Sequence, residues 1–260
     1  MTDMDLALPD AVTDDVFLGD RLRIRQPAKG YRAGIDAVLL AAVARVGNDP
    51  QGAILDLGAG VGTVGLCVAA RLSTARVVLI ERAPELVALA RANIDANSMA
   101  GRVTIVRADI CAPLSAEAQA ALPAETFAHV LANPPFHDTG HGTEAATALK
   151  AQSHAMPADA LDDWLRFMAR CAAPGGRATM IHKAEALPCL LEAFGGRFGA
   201  IKIKPIYARD GEPAIRVLVE GVKGSRAPSS LMPGLVLHGD GNGFTAEVDH
   251  ILRRGNAVGL

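Results

Sequence analysis

Short apolar runs rich in β-branched residues alternate with longer apolar or amphipathic stretches through the middle of the chain. The runs have strand length and the stretches have helix length. The predicted strands cover Ala53 to Leu57, Arg76 to Ile80 with Glu81 at the end, Val103 to Val106 and Phe127 to Ala132, and the predicted helices cover Thr63 to Arg71 and Pro84 to Asn97. This alternation predicts an α/β fold around a mostly parallel sheet.

Weaker patterns extend the prediction on both sides. An N-terminal β-hairpin turns at Gly19-Asp20, and a helix follows from about Asp36 to Val46, for which Asp36 could be the N-cap. The later predicted elements are a helix carrying Trp164 over Ala158 to Ala172, a turn at Pro174-Gly175-Gly176, strands over Arg177 to Ile181, Ile201 to Ile206 and Ala214 to Glu220, and a helix near Ala246 to Arg254. The last two strands close a seven-stranded sheet as an antiparallel hairpin. We expect an N-terminal extension (1–35), an α/β domain (36–222) and a C-terminal extension packed on that domain (223–260).

Three glycines follow the first central strand, in the segment Asp56-Leu57-Gly58-Ala59-Gly60-Val61-Gly62. At a strand-to-helix turn, glycine permits positive φ and lets a ligand approach the backbone. A dinucleotide motif requires glycine where this chain has Thr63, and the Gly-Lys-Ser/Thr ending of a phosphate-binding loop is absent. Asp56 would repel a pyrophosphate but attract an ammonium group. The motif therefore favours S-adenosylmethionine (SAM), whose reacting end is a cation.

Acidic residues recur at the ends of the next two strands. Glu81 could accept both hydroxyls of a ribose, and Asp109 could accept an adenine amino group. Together with Asp56 they lie at or just beyond the carboxyl ends of three consecutive predicted strands, where open α/β sheets bind ligands. For Asp109, a helix N-cap or a solvated loop acid is the alternative interpretation.

The fourth central strand is followed by Asn133-Pro134-Pro135-Phe136. Neither proline has an N–H to donate to a neighbouring strand, and both fix φ, so the strand must end there. The Asn133 carboxamide oxygen and the Pro134 carbonyl could both point outward as acceptors, with the ring of Phe136 close behind, and such a pocket suits a planar amine. An ordinary Asn-Pro turn is the alternative.

Length and composition agree with one catalytic unit. A chain of 260 residues, 50% of them hydrophobic, can bury one α/β core without disulfides or a structural metal. His137, Asp138 and His141 have no partner cluster, so we expect no metal, and the apolar run Ala37 to Ala44 is too short for a bilayer. We expect a cytoplasmic protein without membrane association. The cysteines, which lack metal-like spacing and are expected to be core thiols, are Cys67, Cys111, Cys171 and Cys189.

Positive charge is concentrated in two segments, although the formal net charge is −2. Arg21 to Arg32 contains five basic residues and no acid, and Arg197 to Arg226 contains seven basic and three acidic residues. A solvated surface is one interpretation of such clusters, and contact with RNA phosphates is the other. Their presence beside a motif that suits a base amine favours RNA as the partner.

These motifs together resemble the class I SAM-dependent methyltransferases, in particular the branch with an Asn-Pro-Pro-aromatic motif that methylates planar amino nitrogens. More narrowly, the chain resembles from about Asp15 to Gly255 the bacterial tRNA (adenine-N6)-methyltransferase family that acts on valine tRNA beside the anticodon. The segments that carry this resemblance are Phe17-Leu18-Gly19, Gln26-Pro27, Gly30-Tyr31-Arg32, Asp36-Ala37-Val38-Leu39-Leu40, Pro174-Gly175-Gly176-Arg177 and Lys223-Gly224-Ser225-Arg226-Ala227-Pro228.

The resemblance implies a Rossmann-like fold, SAM as the cofactor and tRNA as the partner. Gly58, Gly60 and Asp56 would line the methionine end, Glu81 the ribose and Asp109 the adenine. The full implied cofactor-binding set is Tyr31, Arg32, Asp36, Asp56, Gly58, Ala59, Gly60, Gly62, Glu81, Arg82, Asp109, Ile110 and Asn133, and the catalytic set is Asn133, Pro134, Pro135 and Phe136.

One departure from the family pattern bears on the substrate. Adenine-specific members usually carry tyrosine where this chain has Phe136, and phenylalanine also occurs in guanine-N2 rRNA enzymes. Guanine-N2 methylation of rRNA, methylation of protein glutamine and SAM or RNA binding without catalysis therefore stay open as alternatives.

Overall fold

The structure, a computed structural model, describes residues 11–29, 32–46, 52–135 and 160–260. The strands are β1 (Val12–Phe17), β2 (Leu22–Pro27), β3 (Ala53–Leu57), β4 (Arg76–Glu81), β5 (Val103–Arg107), β6 (Phe127–Ala132), β7 (Ala172–Lys183), β8 (Phe198–Tyr207), β9 (Ala214–Lys223), β10 (Ser230–Leu231) and β11 (Leu235–Val236). The helices are α1 (Ile35–Ala42), α2 (Thr63–Arg71), α3 (Pro84–Ala96), α4 (Ala116–Ala121), α5 (Ala160–Cys171), α6 (Leu187–Phe194) and α7 (Ala246–Arg254).

The central sheet has the predicted α/β architecture. Its strands run in the order β5-β4-β3-β6-β7-β9-β8, and the five from β5 to β7 are parallel. Strand β9 is antiparallel to both β7 and β8, so the closing antiparallel hairpin is confirmed. The strands β1 and β2 form the separate N-terminal hairpin, with its turn at the predicted place. The sheet order reverses between β3 and β6, and the helices that follow these two strands lie on opposite faces of the sheet, which leaves a crevice at the carboxyl ends of the strands.

Successive residues of the parallel strands face opposite layers, as strand periodicity requires. Ile54 and Leu79 pack with α1, α2 and α7 in one apolar cluster. Leu55 and Ile80 pack with α5 and α6 in the other. Both faces of the sheet are thereby covered, which explains why the central strands read as nearly continuous apolar runs.

A buried polar network crosses β6, β7 and β9 inside the sheet. The carboxylate of Glu220 accepts from Arg45 Nη2, from Arg177 Nη1 at 3.0 Å and from Thr179 Oγ1 at 3.3 Å. The backbone N–H of Arg45 donates to His129 Nδ1 at 3.3 Å, so the other ring nitrogen carries the proton and donates to Thr179 Oγ1 at 2.7 Å. Burial, with the charges of the two arginines, lowers the pKa of His129 to about 3. The imidazole is therefore neutral in the folded protein.

The segment Pro174-Gly175-Gly176 was expected to be a turn between a helix and a strand, and this prediction is wrong. The helix ends at Cys171 and β7 begins at Ala172, so the segment lies inside the strand. Gly175 has φ of 74°, and the β6–β7 register shifts between Phe127 and His129. The extra residues are accommodated as a bulge, because proline and a left-handed glycine interrupt the ladder without ending it.

Other corrections concern element ends and short elements. Helix α1 ends at Ala42 rather than Val46, and its N-cap is Gly34 rather than Asp36. The short elements α4, α6, β10 and β11 were not predicted. Strands β10 and β11 come from the Gly- and Pro-rich C-terminal segment, and each adds two residues in parallel to β8. The four cysteines are free thiols, but Cys111 and Cys189 are exposed, contrary to the expectation of core positions.

Candidate cofactor and substrate site

The glycine loop lies between β3 and α2 at the carboxyl edge of the sheet. Gly58, Gly60 and Gly62 have φ of 66°, 56° and 89°, which L-side chains rarely adopt. The loop is held to the next strand because Ala59 N donates to Ile80 O at 2.8 Å. Gly62 is the N-cap of α2, so the first N–H groups of that helix face the loop.

The two first glycines of the loop differ in what surrounds them. A Cβ at Gly60 would meet no atom within 4 Å, so its open face is available to a ligand. A Cβ at Gly58 would lie 2.4 Å from the ring of Trp164 in α5. Trp164 is half-buried, and it packs against the second apolar cluster as well as beside the glycine loop. It is the single tryptophan of the chain.

Asp56 lies behind the loop. Its side chain is 1% exposed, and Oδ2 accepts a hydrogen bond from the N–H of Gly65 in α2 at 2.9 Å. Burial raises the pKa of the Asp56 carboxyl to about 7, while the Gly65 N–H opposes this shift and the charge of Glu81 adds to it. Asp56 thus braces the start of α2, and its assignment to an ammonium group stays a prediction.

Glu81 ties the glycine loop to the end of β4. Its Oε2 accepts from Gly60 N at 2.9 Å, and its Oε1 accepts from Arg82 N at 2.8 Å and from Ala83 N at 2.9 Å. A carboxylate has about four lone-pair sites, two on each oxygen, so Oε2 can accept one further hydrogen bond while both sites of Oε1 are in use. The expected contact with ribose hydroxyls is compatible with this geometry and stays a prediction.

Asp109 shapes the loop after β5. Its Oδ1 accepts from Cys111 N at 2.9 Å, and its Oδ2 lies 3.9 Å from Arg82 Nη1. The carboxylate is still 39% exposed, and Ile110 beside it is half-buried. In this structure Asp109 is a partly solvated loop acid, as the alternative interpretation of the sequence had it. Its contact with adenine, like those of Arg82 and Ile110, stays a prediction.

Asn133 follows the predicted end of β6 and reaches the same cavity as the glycine loop. The lining of this cavity includes Gly58, Ala59 and Gly60, together with Asn133 and with Gln26 from β2. Pro134 is buried and Pro135 is half-buried. Phe136 and Tyr31 lie outside the described residues, and so do His137, Asp138 and His141.

Thr63 is a site residue that the sequence analysis did not predict. It was considered there only as the position at which a dinucleotide motif would have glycine. It lines the cavity and is 2% exposed, and its Oγ1 has no hydrogen-bond partner among the described residues. A buried hydroxyl without a partner is costly, unless a ligand supplies one. The residues present therefore fit the amino-acid end of SAM, because Thr63 and the start of α2 offer donors for a carboxylate.

Arg32 and Asp36 are engaged elsewhere in this structure. Arg32 pairs with Asp15 of β1 at 2.5 Å, and Asp36 accepts from Arg216 Nε of β9 at 2.9 Å. The first ion pair holds the segment before α1 against the hairpin, and the second holds the start of α1 against the sheet. The assignment of both residues to the cofactor stays a prediction.

Several cations of the two basic segments already have partners. Arg25 pairs with Asp14 of the neighbouring strand at 3.1 Å, and Lys223 pairs with Glu125 at 3.0 Å. Lys204 is buried and donates to the carbonyl of Pro233 at 2.9 Å. Counting charge along the chain overestimated the free positive charge, because the partners come from other elements.

The described part of the chain contains no group of three or more His, Cys, Asp or Glu side chains that could hold a metal ion. Within the same residues, none of the helices has both the length and the apolar character needed to cross a bilayer.

The sheet order and the site together define a class I SAM-dependent methyltransferase. The family model of the methyltransferase small domain matches residues 33–158. A tRNA1(Val) (adenine(37)-N6)-methyltransferase from Porphyromonas gingivalis is 31% identical over 178 residues, which cover 66% of this chain and 67% of the relative. The enzyme of the same name from Shewanella sp. is 30% identical over 158 residues, covering 61% of this chain and 63% of the relative. The chain belongs to the family of the tRNA1(Val) (adenine(37)-N6)-methyltransferases.

A solved structure agrees with the fold and the class. The crystal structure of a predicted O-methyltransferase from Agrobacterium tumefaciens has a TM-score of 0.69 and 33% identity, covering 86% of this chain and 98% of that one.

Proposed function

We propose that this methyltransferase transfers a methyl group from SAM to the exocyclic N6 amine of an adenine in tRNA, beside the anticodon of valine tRNA. The observation that carries the proposal is the placement of Asn133 in the wall of the cavity that the glycine loop forms. An acceptor for a planar amine thereby lies next to the cofactor residues. The names of the relatives support adenine 37 of tRNA as the target. Activity on tRNA also supports a cytoplasmic location.

The cofactor is assigned to residues along the carboxyl edge of the sheet. Gly58 and Gly60 would border the methionine end, and Thr63 Oγ1 with the first N–H groups of α2 would receive its carboxylate. Glu81 would accept the ribose hydroxyls, and Asp109 beside Ile110 would hold the adenine. When bound there, SAM supplies an electrophilic methyl group on a sulfonium.

The chemical problem for the protein is a weak nucleophile, because the adenine amine delocalises its lone pair into the ring. The carboxamide oxygen of Asn133 and the carbonyl of Pro134 accept the two N–H groups and favour a tetrahedral nitrogen with a localised lone pair. From the sequence we expect the ring of Phe136 to stack on the base, a contact of about 1–3 kcal/mol. The released proton goes to water, so these residues act by positioning and no side-chain base is needed.

Phosphate contacts form part of the same proposal. Arg23, Lys29 and Arg226 are exposed and have no acidic partner among the described residues. We assign the phosphate contacts to these three cations. Each contact that is removed should reduce the slope of log affinity against log salt by about one unit.

The direct test uses an unmodified valine tRNA transcript, methyl-tritiated SAM and nucleoside mass spectrometry of the product. We expect N6-methyladenosine, and we expect no incorporation when adenine 37 of the transcript is replaced by guanine. Ribosomal RNA and a release-factor protein serve as competing acceptors. N2-methylguanosine in rRNA, the alternative that Phe136 leaves open, or a labelled glutamine would overturn the adenine assignment while retaining the methyltransferase class.

A further inference from the structure

The outer edge of β2 is completed by the side chains of Asn93 in α3 and of Asn97, the C-cap of that helix, rather than by another strand. Asn97 Oδ1 accepts from Arg23 N at 3.1 Å, and its Nδ2 donates to Arg23 O at 2.7 Å. Asn93 Oδ1 accepts from Arg25 N at 2.8 Å, and its Nδ2 donates to Arg25 O at 3.0 Å. Each carboxamide thus makes both of the hydrogen bonds that a neighbouring strand would make.

The spacing explains why two asparagines can replace a strand. Residues four apart on a helix are separated by about 6.0 Å along its axis. Residues two apart on an antiparallel strand are separated by about 6.8 Å. Asn93 and Asn97 therefore match Arg25 and Arg23, the alternate residues whose backbone groups face outward. The pairing fixes the hairpin on α3 in one register.

Asn93 makes one contact that Asn97 does not. Its Nδ2 also donates to the carbonyl of Val61 at 2.9 Å, and Val61 lies in the glycine loop between Gly60 and Gly62. The second donor bond of Asn97 goes instead to the carbonyl of Asn93 within the same helix, at 2.8 Å. Asn93 is 1% exposed, so water cannot easily replace these bonds.

The hairpin that Asn93 holds is also a wall of the cofactor cavity. Gln26, next to Arg25 in β2, lines the cavity together with residues of the glycine loop. The Gln26 side chain is itself fixed, because Oε1 accepts from Ala33 N at 2.8 Å and Nε2 donates to Asp15 Oδ2 at 2.8 Å. The carboxamide of Asn93 therefore joins the strand that carries Gln26 to the glycine loop.

We propose that Asn93 is a positioning residue for the cofactor site, which holds the hairpin wall and the glycine loop at the separation that the cofactor needs. Asn93 acts through Arg25 and Val61 and does not line the cavity itself. The inference rests on the assignment of this cavity to SAM. Asn97 supplies the matched control, since it docks the same hairpin but does not contact the loop.

The test compares Asn93→Ala with Asn97→Ala by calorimetric titration with S-adenosylhomocysteine, together with thermal melts. Both variants should have a lower Tm, because each loses a pair of hydrogen bonds to the hairpin. Only Asn93→Ala should raise the Kd, by about 10-fold or more, whereas Asn97→Ala should stay within about two-fold of wild type. If Asn93→Ala does not fold, Asn93→Asp and Asn97→Asp allow the same comparison, because a carboxylate keeps the acceptor and removes the donor.

Equal changes of Kd in the paired variants, with wild type binding normally, would overturn the role of Asn93 and leave the proposed function intact. Folded wild-type protein that does not bind S-adenosylhomocysteine would instead overturn the assignment of the cavity to the cofactor.

Discussion

Replacing Asp56 with asparagine should change how the stability of the protein depends on pH. The folded protein holds the Asp56 proton more tightly than the unfolded chain, because the carboxyl pKa is raised from 3.8 to about 7, mainly by burial. The stability contributed by this group is fully present below about pH 3.8 and is lost as the pH rises through about 7. Asparagine has no proton to lose, and its carboxamide oxygen can still accept from the N–H of Gly65.

The magnitude follows from the two pKa values. A difference of about 3 units, at 1.36 kcal/mol per unit, gives about 4 kcal/mol between pH 4 and pH 8. His129 has the opposite effect, since its pKa is lowered from 6.5 to about 3. The stability that neutral His129 contributes is present above about pH 6.5 and is lost as the pH falls toward 3. The two effects oppose one another in the wild type, and Asp56→Asn removes only the first.

Urea unfolding of both proteins, followed by circular dichroism at several pH values, measures this difference. From about pH 4.5 to about pH 8, the free energy of unfolding of Asp56→Asn should rise relative to that of the wild type by about 3–4 kcal/mol. Burying the amide N–H groups of the Asp56→Asn side chain costs the same free energy at every pH. This cost shifts the curve of unfolding free energy against pH as a whole and does not change its dependence on pH. Parallel curves for the two proteins would refute the reasoning, because they would mean that the carboxyl ionises as it does in the unfolded chain.

Gly58→Ala should be less stable than Gly60→Ala by about 1–3 kcal/mol in thermal or urea unfolding, since both variants strain a left-handed backbone but only the first drives a methyl group into Trp164. Equal losses would contradict the close packing of that ring. Asn133→Ala should lower the single-turnover methylation rate about 10²- to 10³-fold and leave the Kd for S-adenosylhomocysteine within a few-fold, and an unchanged rate would remove this acceptor from the mechanism. Glu220→Gln should lower the free energy of unfolding by about 3–5 kcal/mol, because two guanidinium groups lose their buried counter-charge; an unfolding curve like that of the wild type would show that the network is not stabilising.

Periodicity predicted the central strands well because their residues are buried on both faces and are bounded by residues that stop a ladder. The strand from Phe127 to Ala132 has the predicted bounds, since Asn133 and the prolines end it through local covalent geometry. Pro174-Gly175-Gly176 also contains residues that interrupt strand pairing, yet it lies inside β7, because β6 pairs with Ala172 before it and with Arg177 after it, and the residues between form a bulge. Local sequence cannot separate these cases, since the outcome depends on strands that are distant in the chain.

The edge of the sheet that carries the site was also predictable, because open α/β sheets bind ligands at the carboxyl ends of their strands, in the crevice where the strand order reverses. Which atoms face the cavity was not predictable. Asp56 and Thr63 both adjoin the glycine loop in sequence, but the carboxylate turns inward to Gly65 and the hydroxyl turns toward the cavity. That difference is set by how α2 starts after a left-handed Gly62, which a pattern of residue types does not encode. A cofactor carboxylate at this helix start would therefore meet the Thr63 hydroxyl and the first N–H groups of α2, whereas Asp56 lies behind them, outside the cavity lining, and accepts from Gly65 N.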